Sequence, residues 1–435
     1  MKDQFLINGL GGKRVLSGTV SIRGSKNAIL PIMASSILFE HPISAENVPH
    51  IEDVSRMLEL LEDLGAKNSQ DSVKRTLLLF GNEVKKSFLN VEIAKRLRAS
   101  IILSGPLLSR FKKVSFPYPG GCVIGKRPID LFLQGFKKMG AKVSEKDDQF
   151  SLVAPNGLSG AEIFFKVQSV TATETFLMAA ILASGKTVLR NVALEPEVES
   201  LALFLKENGA HIEGIGTTTL TVIGGGLLTQ KKPYITIPDR IEAGSFLILG
   251  AITSNDLTIA HCNPNHLLSL IETLSECGVK LETGEDFIRV RGVKKIPEGQ
   301  IQIRTHEYPG FPTDLQAPLA VFLTQLETES VIFETIFEGR LGYMEDLKQM
   351  GAHITVWDSQ RALIKGKTPL KNRELYGPDI RAGLAYIIAA IVAKGTSVIN
   401  NVYYIDRGYE RIEERLSSIG VNITRTVGPQ SKNIK

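Results

Sequence analysis

Leu61-Glu62-Asp63-Leu64-Gly65-Ala66 is one of six copies of a segment that recurs along the chain. The other copies are residues 136–141 (FKKMGA), 205–210 (LKENGA), 274–279 (LSECGV), 347–352 (LKQMGA) and 416–421 (LSSIGV). Each copy has the pattern of an amphipathic helix that ends on a glycine, and a short strand such as residues 353–356 follows it. The glycines lie 75, 69, 69, 73 and 69 residues apart, so the chain contains an internal repeat.

An apolar helix and an alternating strand precede the segment in these repeats. Residues 175–183 with 186–191, 244–252 with 257–260, and 383–393 with 396–400 have this pattern. The repeat is therefore roughly strand, helix, strand, helix, strand, strand, and the fold class is α/β. Helices that are apolar on nearly every side are expected inside the protein.

The number of repeats predicts two domains, because three repeats of this length make a domain of typical size. We place the boundary near residues 231–238 and assign residues 26–237 to one domain. Residues 1–25 and 238–435 form the other, because we expect the strand at residues 4–9 to pair with the C-terminal half. We expect the active site in the cleft between the two domains.

The composition indicates a water-soluble globular protein of 435 residues, with 43% hydrophobic and 22% charged residues. Its cysteines are Cys122, Cys262 and Cys277, and they lack the spacing of a disulfide framework or a zinc site. The N-terminus has no signal-peptide pattern. The most apolar run, residues 382–393, is shorter than the roughly 20 residues that span a bilayer. We therefore expect a cytoplasmic protein without a membrane span.

The net charge of +5 favours anionic partners. The positive charges are spread along the chain and lack the aromatic and basic pattern of RNA-binding proteins, so we expect small polyanions and no nucleic acid. No grouping of His, Asp and Glu has metal-ligand spacing, and we expect no metal and no cofactor. The sequence does not indicate an oligomeric state.

Polar residues recur just before the helices of the repeats. Helix N-termini carry unsatisfied N–H groups and partial positive charge, so several of them aimed at one place form an anion site. Cationic side chains near these positions would add contacts to phosphate or carboxylate: Lys26, Arg98, Arg127, Arg340, Arg381 and Arg407. The pattern predicts a phosphorylated substrate.

Some of these polar residues have a purely structural alternative. Asp239, Thr173 and Asp379 could be only helix N-caps. Glu195 and Glu197 could form a solvated helix start. Asp314 is different, because it follows Phe311-Pro312-Thr313 on a stiff turn in which Thr313 could already supply the cap.

The segment Pro119-Gly120-Gly121-Cys122-Val123-Ile124-Gly125-Lys126-Arg127-Pro128 is predicted to be a loop, because its glycines and prolines are incompatible with a helix or a central strand. It places a thiol beside two cations, which favour the thiolate and make a group that can give or take a proton. The alternative is that Cys122 is a small apolar filler and that the glycines only form a turn.

Motifs along essentially the whole chain resemble those of one known family. They are residues 24–28 (GSKNA), 97–100 (LRAS), 119–130 (PGGCVIGKRPID), 311–316 (FPTDLQ), 334–340 (ETIFEGR), 350–353 (MGAH) and 404–411 (YIDRGYER). In order and spacing they resemble the UDP-N-acetylglucosamine 1-carboxyvinyltransferases of the EPSP synthase family. The resemblance implies two lobes, each an inside-out α/β barrel of three βαβαββ-type repeats, six in all.

The resemblance also implies a reaction. The enolpyruvyl group of phosphoenolpyruvate is transferred to the 3′-hydroxyl of UDP-N-acetylglucosamine and phosphate is released, which is the first committed step of peptidoglycan biosynthesis. Cys122 matches the proton donor and the target of fosfomycin, and Asp314 matches the residue that contacts the sugar hydroxyl. Lys26, Arg127 and Arg407 match the clamp on phosphoenolpyruvate, and Arg98, Arg340 and Arg381 are expected close by.

The resemblance places the sugar nucleotide on a further set of positions. These are Asn27, Arg98, Pro128, Ile129, Asp130, Leu131, Ser169, Val170, Thr171, Asp314 and Ile336. Thr171 stands where the family commonly has glycine, and Phe132 where a histidine is frequent.

Two other functions remain open on the sequence. One is the shikimate-pathway enolpyruvyl transferase, against which the Cys122 loop and the residues 404–409 argue. The other is an RNA-binding repeat protein with basic clefts, which would bind with a steep salt dependence.

Overall fold

The computed structural model describes residues 3–120, 129–293 and 299–427. These residues divide into two compact units. The first unit contains the described residues of 1–23 and 238–435, and the second contains those of 24–120 and 129–237. Each unit has a hydrophobic core of its own.

The helices of the second unit come first along the chain. They are α1 (Lys26–Ser35), α2 (Glu52–Leu64), α3 (Val91–Ala94), α4 (Ser104–Phe111), α5 (Asp130–Lys138), α6 (Val170–Ile181) and α7 (Pro196–Glu207). The helices of the first unit are α8 (Arg240–Thr253), α9 (Leu268–Glu276), α10 (Thr313–Leu323), α11 (Met344–Gln349), α12 (Ile380–Val392), α13 (Val402–Asp406) and α14 (Ile412–Ser418). Short 3-10 helices cover Ser36–Leu38, Gly81–Glu83, Arg98–Leu103, Pro264–Leu267 and Arg340–Tyr343.

The strands are short. Those that precede β13 in the chain are β1 (Asp3–Leu10), β2 (Leu16–Ser21), β3 (Ile43–Glu46), β4 (Lys67–Asp71), β5 (Thr76–Phe80), β6 (Lys113–Pro117), β7 (Lys142–Lys146), β8 (Gln149–Val153), β9 (Glu162–Phe164), β10 (Lys186–Arg190), β11 (His211–Glu213) and β12 (Thr219–Ile223). The rest are β13 (Tyr234–Ile235), β14 (Ser254–Ala260), β15 (Val279–Thr283), β16 (Phe287–Val293), β17 (Ile301–Arg304), β18 (Glu329–Phe333), β19 (His353–Val356), β20 (Arg361–Lys365), β21 (Glu374–Tyr376), β22 (Lys394–Asn400) and β23 (Asn422–Val427).

The strands form small sheets in which parallel and antiparallel neighbours are mixed. In the second unit the strand orders are β13-β3-β5-β4, β6-β8-β7 and β11-β12-β10-β9. In the first unit they are β15-β16-β14-β2, β17-β18-β20-β19 and β21-β22-β1-β23. Strands β17 and β18 are parallel neighbours joined along the chain by helix α10, and β21 and β22 are joined in the same way by α12. These connections give a mixed α/β architecture.

The N-terminal strands belong to sheets built from the C-terminal half. Strand β1 pairs antiparallel with β22 and β23, and β2 pairs parallel with β14. The predicted pairing of the first strand with the C-terminal half is confirmed.

The repeated glycines end their helices in the predicted way. Gly65, Gly140, Gly209, Gly278, Gly351 and Gly420 all have positive φ, between 83° and 114°. A left-handed residue after the last turn satisfies free carbonyl groups, and glycine adopts it without the steric cost of a Cβ. Gly65, for example, donates its N–H to the Glu62 carbonyl at 2.9 Å.

The apolar helices form the centres of the two cores. Helix α8 is buried over its whole length, and α12 is buried from Arg381 to Val392. In the first unit α10 packs against both α8 and α12, and in the second α4 packs against α6. None of the helices in the described part of the chain has the length and apolar character that crossing a bilayer would require.

Gly105→Ala tests the close packing of α4 on α6. A Cβ at position 105 would lie 2.3 Å from the Thr175 carbonyl oxygen, and a backbone atom cannot turn away as a side chain can. We expect a loss of about 1–3 kcal/mol in stability, measured as a lower urea midpoint in far-UV circular dichroism. The control is Gly226→Ala, where a Cβ would meet no described atom within 4 Å. Equal midpoints for the two variants would contradict the packing.

Candidate active site

The Asp314 carboxylate is bound by two arginines of the first unit. Arg340 donates from Nη2 to Oδ1 at 2.8 Å, and Arg381 donates from Nε to Oδ2 at 3.1 Å. The two arginine side chains are only 5% and 8% exposed, whereas that of Asp314 is 29% exposed. Both oxygens are held by charge-assisted hydrogen bonds, and the carboxylate stays partly exposed.

Short backbone features place these three side chains. Asp314 lies in the first turn of α10, and this helix begins directly after the extended Pro312. Arg340 begins a 3-10 helix after Gly339, whose φ of 78° turns the chain. Arg381 lies in the first turn of α12, where Asp379 accepts hydrogen bonds from the N–H groups of residues 381 and 382. Asp379 is therefore an N-cap, and Asp239 caps α8 in the same way.

Arg381 stays charged in this buried position. Burial by itself lowers the pKa of Arg381, whereas Tyr409 and Asp314 raise it, and the net shift is upward. Its Nη1 also donates to the Tyr409 hydroxyl at 2.9 Å. The guanidinium is therefore a fixed cation at every pH at which the protein is expected to work.

Thr313 does not cap α10, so that expectation was wrong. The N-cap residue is Pro312, and the helix start has no side-chain cap. The Thr313 hydroxyl instead donates to Glu334 Oε2 at 2.8 Å and accepts from Arg340 Nη1 at 2.7 Å. It is thus a link between a buried carboxylate and an arginine that binds Asp314.

Glu334 has a position that the sequence reasoning did not assign. It is fully buried immediately after β18, and its Oε1 accepts the N–H groups of Ile336 at 2.9 Å and Phe337 at 3.1 Å. The half-buried Ile336, predicted to hold the sugar nucleotide, therefore sits on a turn that Glu334 fixes. The available signal was an acidic residue directly after a predicted strand, inside the motif of residues 334–340.

Arg407 is buried in the same unit, at the end of α13. Its N–H donates to the Tyr403 carbonyl at 3.2 Å. The preceding Asp406 binds Arg425 of β23 through two hydrogen bonds of 2.7 and 2.9 Å. The end of α13 is therefore anchored to the sheet, which fixes the backbone from which the Arg407 side chain starts.

In the second unit, Lys26 begins α1 and its ammonium group lies 3.2 Å from Asp53 Oδ2. The two side chains are largely buried, so the ion pair is shielded from water. Asn27 is half-buried in the first turn of the same helix. Asp53, which sequence reasoning did not select, is separated from Lys26 by a strand and lies in the first turn of α2.

Arg98 begins a 3-10 helix and donates from Nη1 to the Pro119 carbonyl at 3.1 Å. It therefore holds the backbone at the first residue of the predicted thiol loop. The predictions for Cys122, Lys126, Arg127 and Pro128 concern residues outside the described part of the chain. Directly after them, Ile129 is buried, Asp130 is exposed at the start of α5, and Leu131 is half-buried.

The start of α6 carries three residues that are predicted to bind the sugar nucleotide. Ser169 caps the helix by accepting the Ala172 N–H at 3.3 Å, and Val170 and Thr171 form the first turn. All three are half-buried. Thr173 is not the cap: its hydroxyl donates to the Ser169 carbonyl and accepts the Ala193 N–H.

A buried acidic group follows on α6. Glu174 and Glu197 are each 2% exposed, so the expectation of a solvated helix start at residues 195–197 was wrong for Glu197. Burial raises the pKa of Glu174 well above its ordinary value, and the nearby charges of Glu197 and Glu195 raise it further. Within the described residues, Glu174 Oε1 has no hydrogen-bond partner. The surroundings of Glu174 therefore favour its protonated, neutral form.

Within residues 3–120, 129–293 and 299–427, no group of three or more His, Cys, Asp or Glu side chains is placed to hold a metal ion.

Comparison with known proteins defines the family. The model of the EPSP synthase family, described as EPSP synthase (3-phosphoshikimate 1-carboxyvinyltransferase), matches residues 11–416. This is nearly the whole chain, and the chain belongs to the EPSP synthase family. The fold agrees: the structure of the enolpyruvyl transferase NikO from Streptomyces tendae superposes with a TM-score of 0.87, at 23% identity, over 98% of this chain and 100% of that one. An EPSP synthase from Acinetobacter baumannii gives a TM-score of 0.71 at 18% identity, over 98% of this chain and 100% of that one.

Within that family, several relatives that match nearly the whole chain carry the name UDP-N-acetylglucosamine 1-carboxyvinyltransferase. The protein of that name from Koribacter versatilis is 43% identical over 97% of this chain and 96% of its own length. That from Campylobacter jejuni (strain RM1221) is 42% identical over 95% of this chain and 98% of its own length. The relative from Caldanaerobacter subterraneus, whose name carries the suffix 1, is 40% identical over 98% of this chain and 100% of its own length.

Glu174→Gln tests the protonation state of the buried acid. Because the folded state raises the pKa of Glu174 above its ordinary 4.5, its contribution to stability is full below pH 4.5 and is lost as the pH rises toward the folded-state value. Glutamine is neutral throughout, so E174Q should be more stable than the unmodified protein at pH 8, with a smaller difference at pH 5. Urea midpoints at the two pH values measure this.

The matched control is Glu213→Gln, which removes an exposed carboxyl group of the same unit. Its effect should be small at both pH values. An E174Q difference that is equal at pH 5 and pH 8, or that favours glutamate at pH 8, would contradict the assignment.

Proposed function

We propose that the chain transfers the enolpyruvyl group of phosphoenolpyruvate to the 3′-hydroxyl of UDP-N-acetylglucosamine and releases phosphate, the first committed step of peptidoglycan biosynthesis. The observation that carries this proposal is the identity of 40–43% with relatives of that name over 95–98% of the chain. Its substrates are two small anions, which fits the buried cations of the candidate site.

Asp314 is the proposed base. As it removes the proton of the 3′-hydroxyl, the sugar oxygen bonds to C2 of phosphoenolpyruvate. Arg340 and Arg381 hold both carboxylate oxygens, so the base enters the reaction already oriented. The partial exposure of Asp314 supports this role, because the base must be reachable by the sugar.

Cys122 is the proposed acid, and its thiol donates a proton to C3 of phosphoenolpyruvate. The resulting tetrahedral ketal then returns a proton from C3 to the Cys122 thiolate while its bond from C2 to the phosphate oxygen breaks, and the double bond is restored. The leaving phosphate takes up the proton that Asp314 removed from the hydroxyl. Lys26, Arg127 and Arg407 are proposed to bind the phosphate and carboxylate groups. The same thiol is the proposed site at which fosfomycin reacts, its sulfur opening the epoxide.

The finer features of the fold belong to the same proposal. We propose that each domain is an inside-out α/β barrel of three repeats, six in the chain. The six positive-φ glycines, spaced by 69 to 75 residues, support the repeat. We also propose a cytoplasmic location, which the buried free thiols of Cys262 and Cys277 support because oxidising compartments favour disulfides.

The competing substrate is 3-phosphoshikimate, which the name of the family model mentions. Sequence identity favours UDP-N-acetylglucosamine over 3-phosphoshikimate as the substrate. The EPSP synthase from Acinetobacter baumannii is 18% identical to this chain, which is less than half the 42% identity of the UDP-N-acetylglucosamine 1-carboxyvinyltransferase from Campylobacter jejuni. The assay below therefore includes shikimate-3-phosphate as an alternative acceptor.

Phosphate release from the purified protein tests the proposed function. We expect release only when phosphoenolpyruvate and UDP-N-acetylglucosamine are both present, and none with shikimate-3-phosphate. Cys122→Ser and pretreatment with fosfomycin should abolish release, and Asp314→Asn should lower kcat about 10²- to 10⁴-fold because it removes the base.

The outcomes separate the parts of the proposal. Release with shikimate-3-phosphate alone as acceptor would reassign the substrate. Normal release by C122S would remove the thiol from the proton-transfer step, and normal release by D314N would remove Asp314 as the base.

A further inference from the structure

We infer that Glu334 is a positioning residue, which orients Arg340 and Asp314 without contacting the substrates itself. The inference rests on the proposed function, because Asp314 is the proposed base. It assigns a role to a side chain that the resemblance leaves without one.

The direction of the hydrogen bonds carries the first step. Arginine can only donate, so the 2.7 Å contact from Arg340 Nη1 makes the Thr313 oxygen an acceptor. The Thr313 hydrogen is then free to point to Glu334 Oε2, 2.8 Å away. The Thr313 oxygen can thus accept the hydrogen bond from Arg340 because the Thr313 hydroxyl donates its own hydrogen bond to Glu334.

The second oxygen of Glu334 is also an acceptor. The backbone N–H groups of Ile336 and Phe337 both donate to Oε1. In the described residues, Thr313, Ile336 and Phe337 all donate to Glu334, an arrangement that suits a carboxylate. It is fully buried, and an ionised group in that position is stable only because donors surround it.

The third step is the geometry at Arg340. Its two terminal nitrogens point to neighbouring residues, Nη1 to Thr313 and Nη2 to Asp314. Because the guanidinium is planar and rigid, fixing one nitrogen fixes the other. The orientation of the Thr313 hydroxyl is therefore transmitted to the Asp314 carboxylate.

The charges agree with this arrangement. Arg340 and Arg381 are two buried cations, and Asp314 and Glu334 supply two negative charges nearby. Loss of the Glu334 charge would remove one of the negative charges near these buried cations, which lowers stability. The effect of Glu334 on kcat is expected to pass through the Thr313 hydroxyl.

Glu334→Gln changes one side of this arrangement. Glutamine Oε1 can still accept the backbone N–H groups, but its amide group donates toward Thr313, whose oxygen already faces a donor. We expect kcat to fall about 10- to 100-fold, the scale of a small misplacement of a reacting group. The KM for UDP-N-acetylglucosamine should stay within about threefold, because the turn at Ile336 is retained.

Variants at position 313 distinguish positioning from general stability. Thr313→Ser keeps the hydroxyl and should remain within about threefold of the unmodified kcat, whereas Thr313→Val should lower kcat about as much as E334Q. In the T313V background, E334Q should have no further effect on kcat, since its action passes through the hydroxyl. A role in folding alone would instead give losses that add. Glu329→Gln, at the exposed start of β18, is the matched control.

The outcomes decide the inference. If the unmodified protein is active, an unchanged kcat for E334Q overturns the inference and leaves the proposed function intact. Additive effects of E334Q and T313V on kcat have the same meaning. An unmodified protein inactive with both substrates overturns the proposed function and this inference with it. If E334Q does not fold, Glu334→Asp takes its place: it keeps the charge but is too short to reach both sides, and the same fall in kcat is expected.

Discussion

The double ion pair on Asp314 is the interaction on which the candidate active site depends. Two guanidinium groups are buried in the first unit, and burying an unpaired charge costs several kcal/mol. Arg340 and Arg381 come from separate repeats, and a single carboxylate binds both. The start of α10, the 3-10 helix at Arg340 and the start of α12 must therefore meet in the folded state. An arrangement that satisfies these charges also presents a partly exposed carboxylate in a fixed position.

The fold provides this meeting point through its apolar helices. Helix α10 packs against α8 and α12, so the first turns of α10 and α12 are close enough for a hydrogen bond between their side chains. Apolar burial supplies the stability, and Asp314 and Arg381 lie in the first turns of their helices, where backbone N–H groups are free of intrahelical partners. Arg407 is a further buried cation of the same unit.

Sequence reasoning succeeded where a local pattern carries the information. The repeat and its glycines predicted helix ends that the positive φ values confirm, and the strand at residues 4–9 pairs with the C-terminal half as expected. Arg340 and Arg381, which were selected as candidate cations of the site, both bind Asp314 in the structure. Side-chain partners were harder: Thr313 looked like a helix cap, yet its partner Glu334 lies 21 residues further on. Glu197 looked solvated because its burial depends on packing that no local pattern encodes.

We propose that Asp314, held by two arginines, meets the sugar hydroxyl. A crystal structure of the protein with UDP-N-acetylglucosamine bound would test this contact. We expect the 3′-hydroxyl oxygen within about 3.2 Å of an Asp314 carboxylate oxygen, with the hydrogen bonds from Arg340 and Arg381 retained. A sugar hydroxyl that lies out of hydrogen-bond reach of Asp314, or arginines that leave Asp314 when the sugar nucleotide binds, would contradict it.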